Sequence, residues 1–152
     1  FQVHGKRIKR SDKSAIRFKS KIKEILSRRR GIAMSIRFKE LCEYVTGWFH
    51  YFKGGLRYAE ILRWDQWIRR KVRCCFWKQW KRPRRRREML IKLGIDRDEV
   101  KLVTRSRKGY WRMSYNSIVQ RALTNEWLRK QGMRSFKELW NGYKYTNQST
   151  TE

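Results

Sequence analysis

Acidic residues, histidine, cysteine and proline are all scarce in this chain, and each scarcity excludes a class of function. There are 13 Asp and Glu, two His, three Cys and one Pro among 152 residues. The carboxylates are scattered, and two histidines without converging acids do not favour general-base catalysis. Neither a glycine-rich phosphate loop nor a His-Glu-x-x-His motif occurs. The sequence therefore predicts a segment without catalytic residues.

Metal-ligand patterns are missing as well. Cys42, Cys74 and Cys75 form no Cys-x-x-Cys pair, which favours reduced thiols over a disulfide framework or a zinc site. Asp96 and Asp98 are the only close aspartate pair, and their position at a predicted helix start favours capping over metal binding. We therefore predict no metal ligand and no cofactor in this segment.

Long apolar runs are also absent. No stretch approaches the ~20 apolar residues of a membrane-spanning helix, and no signal-peptide pattern opens the chain. The sequence thus predicts a protein that is not secreted, either cytoplasmic (bacterial and nucleoid-associated) or organellar. An anionic membrane surface is the competing partner to nucleic acid for so basic a chain.

Positive charge and aromatic rings are what the chain has in abundance. Lys and Arg number 41, the formal net charge is +28, and the eight Trp, seven Tyr and seven Phe accompany 39% hydrophobic residues. Such a charge attracts polyanions. The aromatic content is typical of a folded core and not of a disordered basic arm. These features together predict a folded, nucleic-acid-binding protein.

The densest charge is the run Lys81-Arg82-Pro83-Arg84-Arg85-Arg86-Arg87, which we call the basic run. It follows a stretch in which tryptophans alternate with cations. Cations that meet phosphates, beside rings that can stack on bases, are typical of a nucleic-acid surface. Arginine suits RNA especially, since its planar guanidinium can bind phosphate in a bidentate manner.

Local patterns predict a mainly α-helical fold with a short β-hairpin at residues 1–10, turning at His4-Gly5. A first helix is expected from Ser11 to Arg30 with Gly31 as its stop. A second should run from Ser35 to Gly54-Gly55, and a third from Tyr58 to Lys81, ended by Pro83.

Signals weaken after the basic run. Short helices are expected over 87–93 and 96–103, followed by a basic loop over 105–109. A helix capped by Ser114 or Asn116 should reach Lys130, and a capping box from Ser135 to Glu138 should open a short last helix through Trp140. A flexible tail is predicted over 142–152.

Several segments, in order, resemble group II intron maturases. Residues 41–52 resemble that family's Leu-x(5)-Gly-Trp-x-x-Tyr-Phe signature, residues 62–70 its Leu-x-x-Asp-x-Trp-Ile-Arg-Arg segment, and residues 77–81 its Trp-Lys-Gln-Trp-Lys segment. Residues 106–114 are similar to its basic Gly-x-Trp loop. Asn125, Trp127, Leu128 and Gly132 fit its C-terminal helix. The resemblance covers about residues 1 to 141.

This resemblance implies the C-terminal part of a reverse transcriptase. It assigns 1–10 to the end of a palm-like hairpin, 11–55 to thumb-like helices and 56–141 to the maturase-specific domain X. The fingers and palm, with their carboxylates and Mg²⁺, would precede Phe1. The segment would then be the non-catalytic part of an RNA-directed DNA polymerase. Its implied partners are intron RNA, an RNA/DNA template-primer duplex and the fingers/palm domain.

The implied function is binding of intron RNA to promote splicing, with support of the template-primer duplex. Two alternatives stay open: the nucleic-acid-holding half of an intron-independent reverse transcriptase in DNA repair or defence, and a structural RNA-binding protein. The residues predicted to contact RNA are Arg28, Arg29, Arg30, Lys78, Lys81, Arg82, Arg84, Arg85, Arg86, Arg87, Arg105, Arg107, Lys108, Tyr110 and Arg112.

Tryptophans of the signature segments have a second interpretation as core residues. Trp48 and Trp64 fall on apolar helix faces, which favours burial. Trp67, Trp77 and Trp80 cannot all point inward together with the other apolar residues of their helix. One or two of these three rings are therefore candidates for stacking on bases, and packing against the following segment is an equally good explanation.

Overall fold

A computed structural model describes residues 2–4, 7–9 and 11–148 of the chain. The fold is mainly helical, as predicted. The helices are α1 (Asp12–Ile25), α2 (Met34–Phe52), a 3₁₀ turn (Lys53–Gly55), α3 (Tyr58–Gln79), α4 (Pro83–Lys92), α5 (Arg97–Thr104), α6 (Tyr110–Met113), α7 (Ser117–Ala122), α8 (Asn125–Lys130) and α9 (Phe136–Gln148).

Two short strands precede the helices, β1 (Gln2–His4) and β2 (Arg7–Lys9). Their backbones pair antiparallel, with Val3 opposite Ile8. The predicted turn at His4-Gly5 lies partly outside the described residues. The complete hairpin, and its assignment to the end of a palm, therefore stay predictions.

The centre of the fold is a cluster of aromatic rings from four helices. The ring of Phe18 on α1 stacks at 4.2 Å on Trp64 of α3 and lies 4.6 Å from Trp48 of α2, measured between ring centroids. Phe136 of α9 approaches Phe18 to 5.5 Å. The predicted core positions of Trp48 and Trp64 are confirmed, since both are buried. The cluster crosses the boundary predicted between residues 55 and 56, although the division into thumb and domain X stays a prediction.

A buried carboxylate attaches α9 to this core. Asp65 of α3 accepts hydrogen bonds from the backbone N–H groups of Phe136 (2.8 Å) and Lys137 (3.0 Å). Burial raises the pKa of Asp65, and these two hydrogen bonds oppose the rise. The predicted capping box is confirmed, because Ser135 and Glu138 exchange backbone-to-side-chain hydrogen bonds. Free N–H groups at the start of α9 are thus satisfied from two sides.

The first helix begins as predicted but ends earlier. The Ser11 side chain caps α1 by accepting from the Ser14 N–H. The helix stops at Ile25 and not at Arg30, because the buried Arg37 side chain donates to the carbonyls of Ser27 and Arg30. Those carbonyls belong to the connection that turns the chain back into α2, so tertiary contacts end the helix before Gly31.

Pro83 begins a helix in addition to following one. It occupies the first turn of α4, where its missing N–H has no helical partner and its fixed φ suits the helix. The predicted start of this helix at residue 87 was therefore wrong by four residues, and Arg84 to Arg87 of the basic run are helical.

The C-terminal half differs from prediction in two further places. The single helix expected up to Lys130 is two helices, with Asn116 capping α7 and Thr124 capping α8. The last helix continues to Gln148, so residues 142–148 of the predicted tail are helical, and residues 149–152 lie outside the described part. Within the described residues, none of the helices is both long and apolar enough to cross a bilayer.

Candidate nucleic-acid interface

The basic run leads into α4, and its residues from Pro83 onward form the start of that helix, where the outer arginines face solvent. The Arg84 side chain is 91% exposed, and Arg85 and Arg87 are exposed as well. Glu88 is the acid that neutralises part of this charge, with ion pairs of 3.1 Å to Arg84 and 3.6 Å to Arg85. Cations at a helix N-terminus oppose the helix dipole. The turn is therefore a positive surface that Glu88 compensates only in part.

Arg86 is the exception within the run, because it is buried. Its Nε donates to the Trp80 carbonyl at 2.9 Å, and its guanidinium carbon lies 4.5 Å from the ring centroid of Trp77. A longer contact of 3.5 Å reaches the Thr104 carbonyl. Burial lowers the pKa of Arg86. This arginine holds the fold together, and its predicted role as a contact to RNA does not agree with its burial.

The Arg86 contacts bring the second basic segment beside the first. Thr104 is the last residue of α5, so the loop over 105–109 begins where Arg86 reaches. Arg105, Arg107 and Lys108 of that segment are exposed. The loop that was predicted from sequence is confirmed, and it lies next to the helix that carries the basic run.

Tyr110, at the start of α6, is the point where cations from other segments converge. The guanidinium of Arg28 lies 5.4 Å from its ring centroid, and the ammonium of Lys78 on α3 lies 6.0 Å from it. The ring is half-buried against the core. One face of the molecule thus joins the α1–α2 connection, the end of α3 and α6. Exposed predicted contacts elsewhere along these segments are Arg29, Lys81, Arg82 and Arg112.

Arg30 has a different position from its two neighbours. It forms a two-pronged ion pair with Glu40 of α2, at 2.6 and 2.9 Å, and also donates to the Ile25 carbonyl at 3.1 Å. This hydrogen-bonded pair lowers the pKa of Glu40. The expectation that Arg28 to Arg30 end a helix was wrong, since α1 ends at Ile25. Arg28 and Arg29 remain exposed, whereas Arg30 already has an acidic partner.

The tryptophans are less exposed than base stacking at the basic run would need. Trp77 and Trp80 are buried, and Trp67 is half-buried. Trp111 is 38% exposed. Its ring lies 4.0 Å from the guanidinium of Arg70, which also donates to the Trp111 carbonyl at 3.1 Å.

Buried arginines are the residues that sequence reasoning missed. Arg73 donates from Nε to the Leu123 carbonyl and from its second amino group to Asn125 Oδ1, both at 2.9 Å. Burial lowers the pKa of Arg73 to about 10. Arg37 donates to two carbonyls of the α1–α2 connection. Nothing local in the sequence separates these three arginines, 37, 73 and 86, from the exposed ones.

Fold and surface together define a class of protein: a small helical domain with an aromatic core and a strongly cationic face. Residues 15–92 match the family described as group II intron, maturase-specific domain. That match spans about half of the chain, and the chain belongs to this family. The resemblance inferred from the ordered motifs is confirmed, and three of those motifs, within 41–81, lie in the matched region. A comparison with curated proteins gave no match.

Proposed function

We propose that this chain is the RNA-binding thumb and maturase region of a group II intron-type reverse transcriptase. It binds intron RNA and helps it reach the folded form in which the RNA itself carries out splicing. It also supports the template-primer duplex next to a fingers/palm domain. The observation that carries the proposal is the junction of the two basic segments through Arg86 and Thr104, in a chain of the maturase-specific family.

Electrostatics supports the proposal. A formal net charge of +28 on 152 residues destabilises the compact chain through self-repulsion unless a polyanion lies beside it. On α4 the outer arginines oppose the helix dipole, a cost that phosphate groups at the same N-terminus reverse. Arginine in particular can bind phosphate with two parallel hydrogen bonds. A face of this kind reads the backbone and shape of structured RNA.

The test compares this chain on a group II intron RNA and on an unrelated structured RNA of equal length, titrated across salt. If the interface neutralises about eight phosphates, log affinity should fall with log salt at a slope of about −6 to −7. A preference for the intron RNA that survives moderate salt supports a maturase. Equal binding that disappears with salt indicates a nonspecific cationic clamp and contradicts the splicing role.

The variant that tests the surface is Arg84→Gln combined with Arg85→Gln and Arg87→Gln. Arg86 stays in place, because its removal would disturb the core and not only the charge. Losing three phosphate contacts should reduce the salt slope by about 2 to 3. The matched control replaces Lys53, Lys137 and Lys144 by Gln, three cations outside the predicted interface. Equal slopes for both triple variants would refute the assignment of the basic run.

A further inference from the structure

A groove runs along α3 on residues that the basic run does not include. One cleft of about 880 Å³ lies between α3 and the segment from α6 to α8, and a second of about 740 Å³ lies between α1, the 3₁₀ turn and α3. Arg63 and Trp67 line both clefts, so the two clefts adjoin at these side chains. We call the two clefts together the α3 groove. Each half has the volume of a typical small-molecule site.

The wall of this groove on the α6 side carries aromatic rings in a fixed arrangement. Tyr115 is 70% exposed and Trp111 is 38% exposed. The Arg70 guanidinium lies 4.0 Å from the Trp111 ring centroid and 5.1 Å from that of Tyr115. Arg70 also donates to the Trp111 carbonyl and the Ser114 hydroxyl. The two rings are thus held by a shared cation before any ligand arrives, which reduces the entropic cost of binding.

Cationic side chains line both clefts of the α3 groove, on either side of Arg63 and Trp67. The cations that line it include Lys19, Lys23, Arg57, Arg63, Arg69 and Arg121. Arg121 is paired with Glu99 at 2.6 Å. Arg63 and Arg69, in contrast, form no ion pair with any residue that the structure describes. Two acids, Asp12 and Glu60, line only the α1 half. The α6 half is therefore rich in rings and cations and free of lining carboxylates.

Hydrogen-bonding side chains complete this half. Gln66, Gln120 and Asn125 line it beside the rings. The Gln120 amide donates to the Tyr115 carbonyl at 3.1 Å, and its own carbonyl oxygen remains an acceptor. Rings, guanidinium groups and amides in one cleft are the three chemistries that bind a base face, a phosphate and a base edge.

We propose that the α3 groove binds unpaired nucleotides of RNA. Ring faces can stack only on bases that have left the helix, whereas the basic run reads backbone phosphates and does not require unpaired bases. The proposal rests on the proposed function, because it assigns a second, single-strand site to the same RNA-binding domain. The chain would then hold a structured RNA at α4 and a looped or terminal segment of it along α3.

The test uses the full chain with a fluorescently labelled uridine decamer and with a blunt RNA hairpin that has few unpaired bases. Tyr115→Ala should weaken binding of the decamer by about tenfold, since one base stack is lost. It should leave binding of the hairpin stem unchanged, and Tyr115→Phe should retain decamer binding. The matched control is Tyr145→Ala, which removes a tyrosine of nearly equal exposure (72%) on α9.

Crosslinking provides a second, independent measurement. A decamer containing 4-thiouridine, irradiated and mapped by mass spectrometry, should attach to Trp67, Trp111 or Tyr115. Attachment only to residues 81–87 or 105–109 would contradict the assignment of the α3 groove as the site for unpaired nucleotides. An equal loss of affinity for the uridine decamer in Tyr115→Ala and Tyr145→Ala would contradict the proposal as well. Tighter binding of a deoxythymidine decamer than of the uridine decamer would also contradict it.

The groove and the proposed function can fail separately. If the hairpin and the intron RNA bind but the decamer does not, the groove is refuted and the RNA-binding function stands. If none of the three RNAs binds, the proposed function fails and the groove with it. Arg63→Gln, a change in a side chain that lines both clefts, should weaken binding of the decamer.

Discussion

Arginine has opposite roles in two regions of this molecule, the exposed N-terminal turn of α4 and the interior beside α3. Arg84, on the exposed turn, has a side chain that is 91% exposed and forms an ion pair with Glu88. Arg73 and Arg86, in the interior, donate to backbone carbonyls and have a lowered pKa because they are buried. Composition counts all of them equally as charge. Only part of a charge of +28 is therefore available to a ligand.

The largest expected effect in this comparison comes from Arg73→Ala. It leaves the Leu123 carbonyl and the Asn125 amide oxygen without their donor, so the free energy of unfolding should fall by about 3 kcal/mol. Denaturant unfolding at neutral pH measures the change. Arg129→Ala, which removes an equal charge from the exposed surface of α8, controls for relief of self-repulsion. A decrease in the free energy of unfolding for Arg73→Ala as small as that of the control would contradict the structural role of this buried arginine.

A second substitution tests the contrast within one turn of α4. Arg86→Ala should lower the free energy of unfolding by about 2 kcal/mol, because it removes a buried hydrogen bond and a cation–ring contact with Trp77. Arg85→Ala, one residue earlier, should change it by less than about 0.5 kcal/mol, as is usual for an exposed ion pair. Both are measured by the same unfolding titration. Similar losses for the two neighbours would show that burial does not separate them.

The smallest expected effect on stability concerns Arg30. Its side chain is neither fully exposed like Arg84 nor buried like Arg73, and its partner Glu40 is a carboxylate at the surface. Arg30 lowers the pKa of Glu40, so Glu40 stabilises the folded state above its unfolded pKa. That contribution should disappear as the pH falls through its lowered folded pKa. Unfolding of the wild type and of Glu40→Gln across acidic pH measures this. The two should differ near neutrality and converge in acid, whereas a difference that persists at the lowest pH would contradict it.

Much of the fold was predictable because its signals are local. Ser11, Asn116 and the Ser135–Glu138 box cap helices as their sequence positions indicate. Apolar periodicity correctly placed Trp48 and Trp64 inside. The site was predictable only as a set of segments. Arg28, Lys78 and Tyr110 were singled out separately, and nothing in their spacing showed that they meet.

Three of the failures share one physical cause, which is that long-range contacts decide where a helix ends or which side chain is buried. Arg37 of α2 binds the carbonyls that follow Ile25, and α1 therefore ends before its local stop signal. Arg86 reaches Thr104 across 18 residues, which no pattern within the basic run could indicate. The α3 groove was missed for the same reason, since its lining residues come from α1, α3 and the segment from α6 to α8, which are far apart in the sequence.

By itself the sequence determined the family, the helical class and the excess of positive charge, because these depend on residue types and on spacings of a few residues. Tertiary structure decided which cations remain at the surface. A guanidinium becomes structural when the fold brings a carbonyl from a distant segment within hydrogen-bond reach, as Leu123 does for Arg73. Desolvation must then be compensated by that bond. Where none of the described residues brings such a carbonyl, as at Arg84 and Arg87, the charge remains exposed to solvent and open to phosphate.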